Sequence, residues 1–214
     1  LPSLPPQQAS GGGSVFRVLR RPLISVAMLA ILAFFMGQFT LFTYVRPFLE
    51  AVTGVGGLAL SGILLVIGLA GLLGTFWVSF LLKRRLYSLL VVMPAIMALL
   101  AIGLIVLGHS TALTALLLFG WGLIATAAPV AWWTFISKAL PDDAEAGGGL
   151  MVAVIQLAIT GGASLGGLLF DAGGYRNAFG AASAILLGSS VLAYLAWRVT
   201  QKPALETSAE NASL

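Results

Sequence analysis

The chain has 214 residues, of which 59% are hydrophobic and only 8% charged, and a formal net charge of +4. A soluble domain carries about a quarter of its residues as Asp, Glu, Lys and Arg, so this composition excludes a water-soluble globule and points to a chain that lives in a bilayer. Cysteine is absent, which removes disulfides, thiolate nucleophiles and Cys-ligated metals.

The first fourteen residues, LPSLPPQQASGGGS, have the Pro, Gly, Gln and Ser content of a flexible linker and lack the charged and apolar regions of a signal peptide. They run without an initiator Met into Arg17-Val18-Leu19-Arg20-Arg21-Pro22. Residues 1–22 therefore read as a cytoplasmic linker inside a longer protein. Six long apolar segments follow, over about residues 23–45, 58–82, 86–107, 112–136, 147–170 and 177–197, and none contains Lys, Arg, His, Asp or Glu. Each supplies the roughly 20 residues that cross about 30 Å of hydrocarbon. Barrel strands alternate over about ten residues, whereas these runs are continuously apolar, so the spans are helices. The expected architecture is an all-α integral membrane protein, a bundle of six transmembrane helices over residues 23–198. A polar, disordered cytoplasmic tail follows over residues 199–214.

Basic residues orient the bundle. Arg17, Arg20, Arg21, Lys83, Arg84, Arg85, Lys138, Arg198 and Lys202 fall on one side of the boundary drawn by the six segments, and only Arg46 and Arg176 on the other. Cytoplasmic loops retain the excess of Lys and Arg, which places both ends of the chain in the cytoplasm. Basic residues beside spans are orientation signals, so the positive balance does not argue for nucleic acid.

Several polar and small residues interrupt the spans. The first segment carries Gln38, Thr40, Thr43 and Tyr44. Polar groups at membrane depth face the bundle interior or a wet cavity, so Gln38 either bonds a polar solute or forms an interhelical hydrogen bond. Pro94 in the third segment is an expected kink. The fourth holds Trp121, Ala128-Pro129 and Trp132-Trp133-Thr134; Pro129 is expected to kink it, and each tryptophan either packs and anchors or stacks on a flat ligand. In the fifth, Gln156 and Thr160 share a helix face, and Gly162 and Gly166 form the small-xxx-small spacing that lets another helix approach. At the span ends, Arg46 and Glu50 make an exposed pair at most, Asp171 and Arg176 are candidates for an outer ion pair, and Asp142, Asp143 and Glu145 suit the start of the fifth helix.

Catalytic chemistry is not legible. The single His109 lies in an outer loop, carboxylates occur only in loops and tail, and there is no phosphate-binding loop. The sequence reads as no enzyme, with no cofactor and no metal site.

The stretch Phe42-Thr43-Tyr44-Val45-Arg46-Pro47-Phe48-Leu49 with Val52-Thr53-Gly54, then Trp133-Thr134, Ser137-Lys138-Ala139-Leu140, Val152 to Ala158, Gly161-Gly162-Ala163, Gly166-Gly167 and Asp171, carry a resemblance. From Gly37 to Arg176 the chain resembles the carboxy-terminal half of a major facilitator superfamily transporter, in the proton-antiport drug, sugar and nucleoside efflux group, and is most similar to bacterial purine ribonucleoside efflux pumps. One departure stands out. The family's loop motif, echoed after its eighth helix, sets an Asp before the basic residues, and here Gly74 leads to Lys83-Arg84-Arg85 with no Asp.

The resemblance implies half of a twelve-helix, multi-pass carrier of the bacterial inner membrane, working by alternating access. Its partners are the amino-terminal six-helix half, the lipid bilayer, a small-molecule substrate and a proton. The candidate substrate-binding residues are Gln38, Thr43, Trp121, Trp133, Gln156 and Thr160, the amides orienting a small polar solute such as a purine nucleoside and the indoles stacking on it. No titratable carboxylate or His lies in these spans, so the resemblance assigns the proton carrier to the other half. The alternatives are efflux of drugs or sugars by the same mechanism, a half-size carrier that dimerises, and a non-transporting six-helix membrane interaction protein.

Overall fold

The computed structural model describes residues 17–211, with side chains through Gln201. Most of the predicted linker lies outside the described residues.

Helix α1 (Pro22–Phe42) starts with proline at its first position and Arg21 extended before it. That position suits proline, whose missing N–H would have had no partner there. A short helix α2 (Val45–Phe48) runs into a π-helical turn, Leu49–Thr53. Gly54 ends that turn at φ 74°, a left-handed conformation that glycine adopts without steric cost. Helix α3 (Gly57–Leu107) is broken once, at Arg85, whose φ of −138° and ψ of 34° divide it into limbs over 57–84 and 86–107. Helix α4 covers Thr111–Ala139. Helix α5 (Ala144–Asn211) is broken at Gly173 and Gly174, giving limbs over 144–172 and 175–211.

Among the described residues four helical stretches, Pro22–Thr53, Gly57–Leu107, Thr111–Ala139 and Ala144–Gln201, are long and apolar enough to cross a membrane. Pro94 and Pro129 lie inside helices, and the chain turns at Arg85 and at the glycine pair. Helical backbone also continues beyond Trp197 to Asn211, across the stretch where the sequence predicts a disordered tail.

The limbs interleave in two matching sets. Helix α1 packs against α5, and α4 packs against α3. Gly162, in the first limb of α5, meets the backbone of Met36 in α1, and Gly37 of α1 faces Ala182 and Leu186 in the second limb. On the other side, Gly74 of α3 meets the Leu123 carbonyl of α4, and Gly122 of α4 meets that of Ile67. Small residues at these crossings remove the side chain that would hold two backbones apart. The second limbs of α3 and α5 then join the sets through hydroxyl bonds: Ser183 Oγ donates to the Ala98 carbonyl at 3.0 Å and Ser190 Oγ to Val91 at 2.8 Å. Ser189 Oγ donates to Ala30 of α1, also at 2.8 Å.

Trp121, Trp132, Phe34, Phe48, Phe135 and Phe179 are the largest fully buried side chains. Outward, the helices present Leu65, Leu72, Phe76, Trp77, Leu157 and Leu168, each more than 60% exposed. Apolar surface on that scale is tolerated against lipid and not against water. At one end of the bundle Asp143, before α5, pairs with Arg17 at 2.6 Å and Arg21 at 3.1 Å, fastening the segment before α1 to the α4–α5 connection.

Candidate functional site

The site is assembled where α1, the first limb of α3 and α4 meet. Gln38, Phe39 and Phe42 of α1, Leu64, Ile67 and Gly68 of α3, and Gly122, Ala125 and Thr126 of α4 enclose a cavity of about 350 Å³. That size lies within the range of small-ligand sites, which pair apolar walls with a few oriented polar groups. The spacing of Gln38 and Phe42, one helical turn apart, puts both on the same face of α1. Gly68 and Gly122 keep the wall low.

Gln38 is 8% exposed, and its Oε1 has no hydrogen-bond partner among the described residues. A buried amide oxygen left unpaired costs about 1–3 kcal/mol, a cost that a donor brought by a solute would offset. Thr126 works differently: its Oγ1 donates to the Gly71 carbonyl at 2.8 Å and also lies 3.2 Å from that of Gly122. It ties α4 to α3 at the cavity edge and retains lone pairs to accept from a solute.

The other candidates disperse. Thr43 and Thr160 are exposed, and each donates to the carbonyl four residues back, Thr43 to Phe39 at 2.8 Å and Thr160 to Gln156 at 3.0 Å, so their protons are already engaged. Gln156 is exposed on the same limb of α5. Trp133 is 42% exposed, and its six-membered ring abuts Gly148 across the α4–α5 connection. Trp121 is fully buried and absent from the cavity wall; in this conformation it is a core residue. Its Nε1 is the second buried polar atom without a partner. Asp171 and Arg176 do not pair: Arg176 Nε instead donates to the Tyr175 hydroxyl at 3.3 Å. Arg46 and Glu50 do pair, exposed, at 3.0 Å.

Reading the sequence missed Phe39, Phe42, Gly68, Gly122 and Thr126. The signal for the two phenylalanines was their position one and four residues beyond Gln38. Nothing in the sequence alone aligns α3 and α4 with them.

Long apolar helices, lipid-compatible outer faces and a small cavity among three of those helices define a helical membrane protein. A comparison with protein-family models finds no match. Among individual proteins, the chain is 53% identical over 194 residues to the transcription regulatory protein OpdE of Pseudomonas aeruginosa, an alignment covering 89% of this chain and 48% of that protein. It is 36% identical over 200 residues to the purine ribonucleoside efflux pump NepI of Salmonella paratyphi B, and equally to that of Salmonella typhimurium, covering 94% of this chain and 50% of each pump. The chain thus spans about half the length of these relatives.

Proposed function

We propose that this chain is the carboxy-terminal half of a major facilitator superfamily carrier, a proton-coupled exporter of small polar molecules with purine nucleosides as the first candidates. The observation that carries the reading is the cavity of about 350 Å³ between three helices, lined in part by Gln38, a buried residue whose amide oxygen has no partner among the described residues. Similarity to a purine ribonucleoside efflux pump over 94% of the chain supports it.

The interleaved packing supports the transporter fold as well. Counting each limb as one span gives six: α1, the two limbs of α3, α4 and the two limbs of α5. The first span of each set of three packs on the second and third spans of the other set. Such internal repeats, with a binding site near the midplane at their junction, recur in secondary transporters. In this reading Gln38 orients the solute, with Phe39 and Phe42 offering ring faces. Gln156 and Thr160 lie on an open face directed to the other six-helix half, and Trp121 stiffens α4 behind the wall. The six apolar segments read from the sequence contain no carboxylate or His, so in this reading the titrating group belongs to the other half. The protein sits in a bacterial inner membrane with the Lys83–Arg85 side in the cytoplasm.

The second reading is a membrane-embedded regulator that moves nothing, and the 53% identity to a protein named as a transcription regulator favours it. Efflux of labelled inosine from preloaded cells expressing the intact protein separates the two. Faster loss than in control cells, slowed by a protonophore, supports the carrier; identical loss with and without the protein overturns it.

A further inference from the structure

A second concave site lies farther along α3, toward the break at Arg85. Its two limbs and α4 enclose an open groove of about 450 Å³ whose lining is apolar throughout, with Leu73, Trp77 and Leu81 on one limb, Val92 and Ile96 on the other, and Leu123 at the floor. It contains none of the polar atoms that would hold a nucleoside or sugar. Trp77 is 67% exposed, so the groove is open to whatever surrounds the bundle.

Its geometry has a direction. Along the first limb the groove runs from Leu81, beside the break at Arg85, to Leu73. Lys83 to Leu73 is roughly 15 Å at 1.5 Å per residue, about half of the roughly 30 Å hydrocarbon core and therefore one leaflet deep. Two to four residues beyond Leu81, where the two limbs meet, come Lys83, Arg84 and Arg85, all exposed. Among the described residues none of the three is in an ion pair; the pairs present engage Arg17, Arg21 and Arg46. Their own elements offer no counter-charge, because no Asp or Glu occurs between Glu50 and Asp142.

We infer that this groove holds an acyl chain of an anionic phospholipid whose phosphate rests on Lys83, Arg84 and Arg85. A one-leaflet apolar slot ending at three unneutralised cations matches such a lipid in length, polarity and charge, and basic sites between helices at the membrane surface select anionic headgroups. The inference needs a membrane-inserted bundle and is independent of transport.

Trp77 reports the occupant. The intact protein is reconstituted into phosphatidylcholine vesicles containing a minor fraction of brominated-acyl phosphatidylglycerol, or the same fraction of brominated-acyl phosphatidylcholine. The Trp77 signal is the difference between the native protein and Trp77→Phe. Bromine quenches indole fluorescence on contact, so half-maximal Trp77 quenching is expected at about fivefold less phosphatidylglycerol than phosphatidylcholine. Arg84→Gln with Arg85→Gln is expected to bring the two lipids level. Equal quenching by both lipids in the native protein overturns the inference, and so does the absence of Trp77 quenching by either, which would mean that protein covers the groove. The lipid contrast is made on unmutated protein and does not depend on the variant folding.

Discussion

Gly166 packs so closely on Thr40 that a Cβ added to the glycine would lie 2.5 Å from the threonine's carbonyl oxygen and 2.8 Å from the Tyr44 ring. Four residues earlier, Gly162 meets the backbone of Met36 in the same way, so the first limb of α5 and α1 touch backbone to backbone over a full turn. Tyr44 caps this seam: its hydroxyl donates to the Ala163 carbonyl at 3.0 Å and its ring stacks on Phe170 at 5.2 Å.

The seam predicts a stability effect. Gly166→Val forces the helices apart and is expected to cost about 1–3 kcal/mol, the range for overpacking a filled site. Gly188→Ala, which meets nothing within 4 Å, is expected to be neutral or slightly stabilising. Thermal unfolding of the purified protein in detergent measures both; equal melting temperatures for the two variants would remove the seam from the account.

At the cavity, Gln38→Leu keeps the bulk and deletes the amide. If Gln38 bonds the solute as proposed, losing one hydrogen bond of typical net worth is expected to raise the apparent KM for transport roughly 3- to 10-fold. Thr43→Ala and Thr160→Ala remove hydroxyls already bonded to their own helix and are expected to change KM by less than about twofold. Trp121→Phe is expected to lower the melting temperature and leave KM unchanged, because the indole is fully buried and is not part of the cavity wall.

Asp143 predicts a protection effect. Its carboxylate holds Arg17 and Arg21 together, and although both arginines are exposed, two pairs on one largely buried acid act as a small network. Asp143→Asn is expected to speed trypsin cleavage within residues 17–21 in the folded protein, with cleavage at Arg84 and Arg85 unchanged. Unaltered kinetics at both sites would show that the clamp does not hold in solution.

Orientation is testable because this chain lacks cysteine. With any cysteines elsewhere in the intact protein removed, the proposed topology, in which the basic loops are cytoplasmic, predicts that a membrane-impermeant maleimide labels His109→Cys in intact cells and Ser137→Cys only after permeabilisation. The reverse pattern would invert the topology.

How far the sequence reached follows from which interactions are local. Apolar runs made the helices legible, since a lipid-exposed helix must be apolar along its length. Gln38 was legible as a polar residue in such a run. The turn at Arg85 was legible from the Lys83-Arg84-Arg85 cluster, and the turn at Gly173 and Gly174 from its glycines. What stayed hidden depends on pairing between distant helices. Phe42 and Thr126 line one cavity only because α1 and α4 converge on α3, and Trp121 belongs to the core only because of how α4 is rotated. A uniformly apolar helix carries little pattern to reveal its rotation. Pro94 and Pro129 lie inside helical backbone, where neighbouring helices and local adjustments can accommodate a proline.

Proton-driven movement of a nucleoside is the central claim, and reconstituted vesicles test it most directly. Intact protein is placed in vesicles with labelled inosine outside and an imposed pH gradient, acidic inside. Inosine is expected to accumulate against its concentration gradient, to leak back when the pH gradient is collapsed, and to accumulate more weakly at limiting concentration with Gln38→Leu. Accumulation that is absent, or that is indifferent to the pH gradient, would contradict the account.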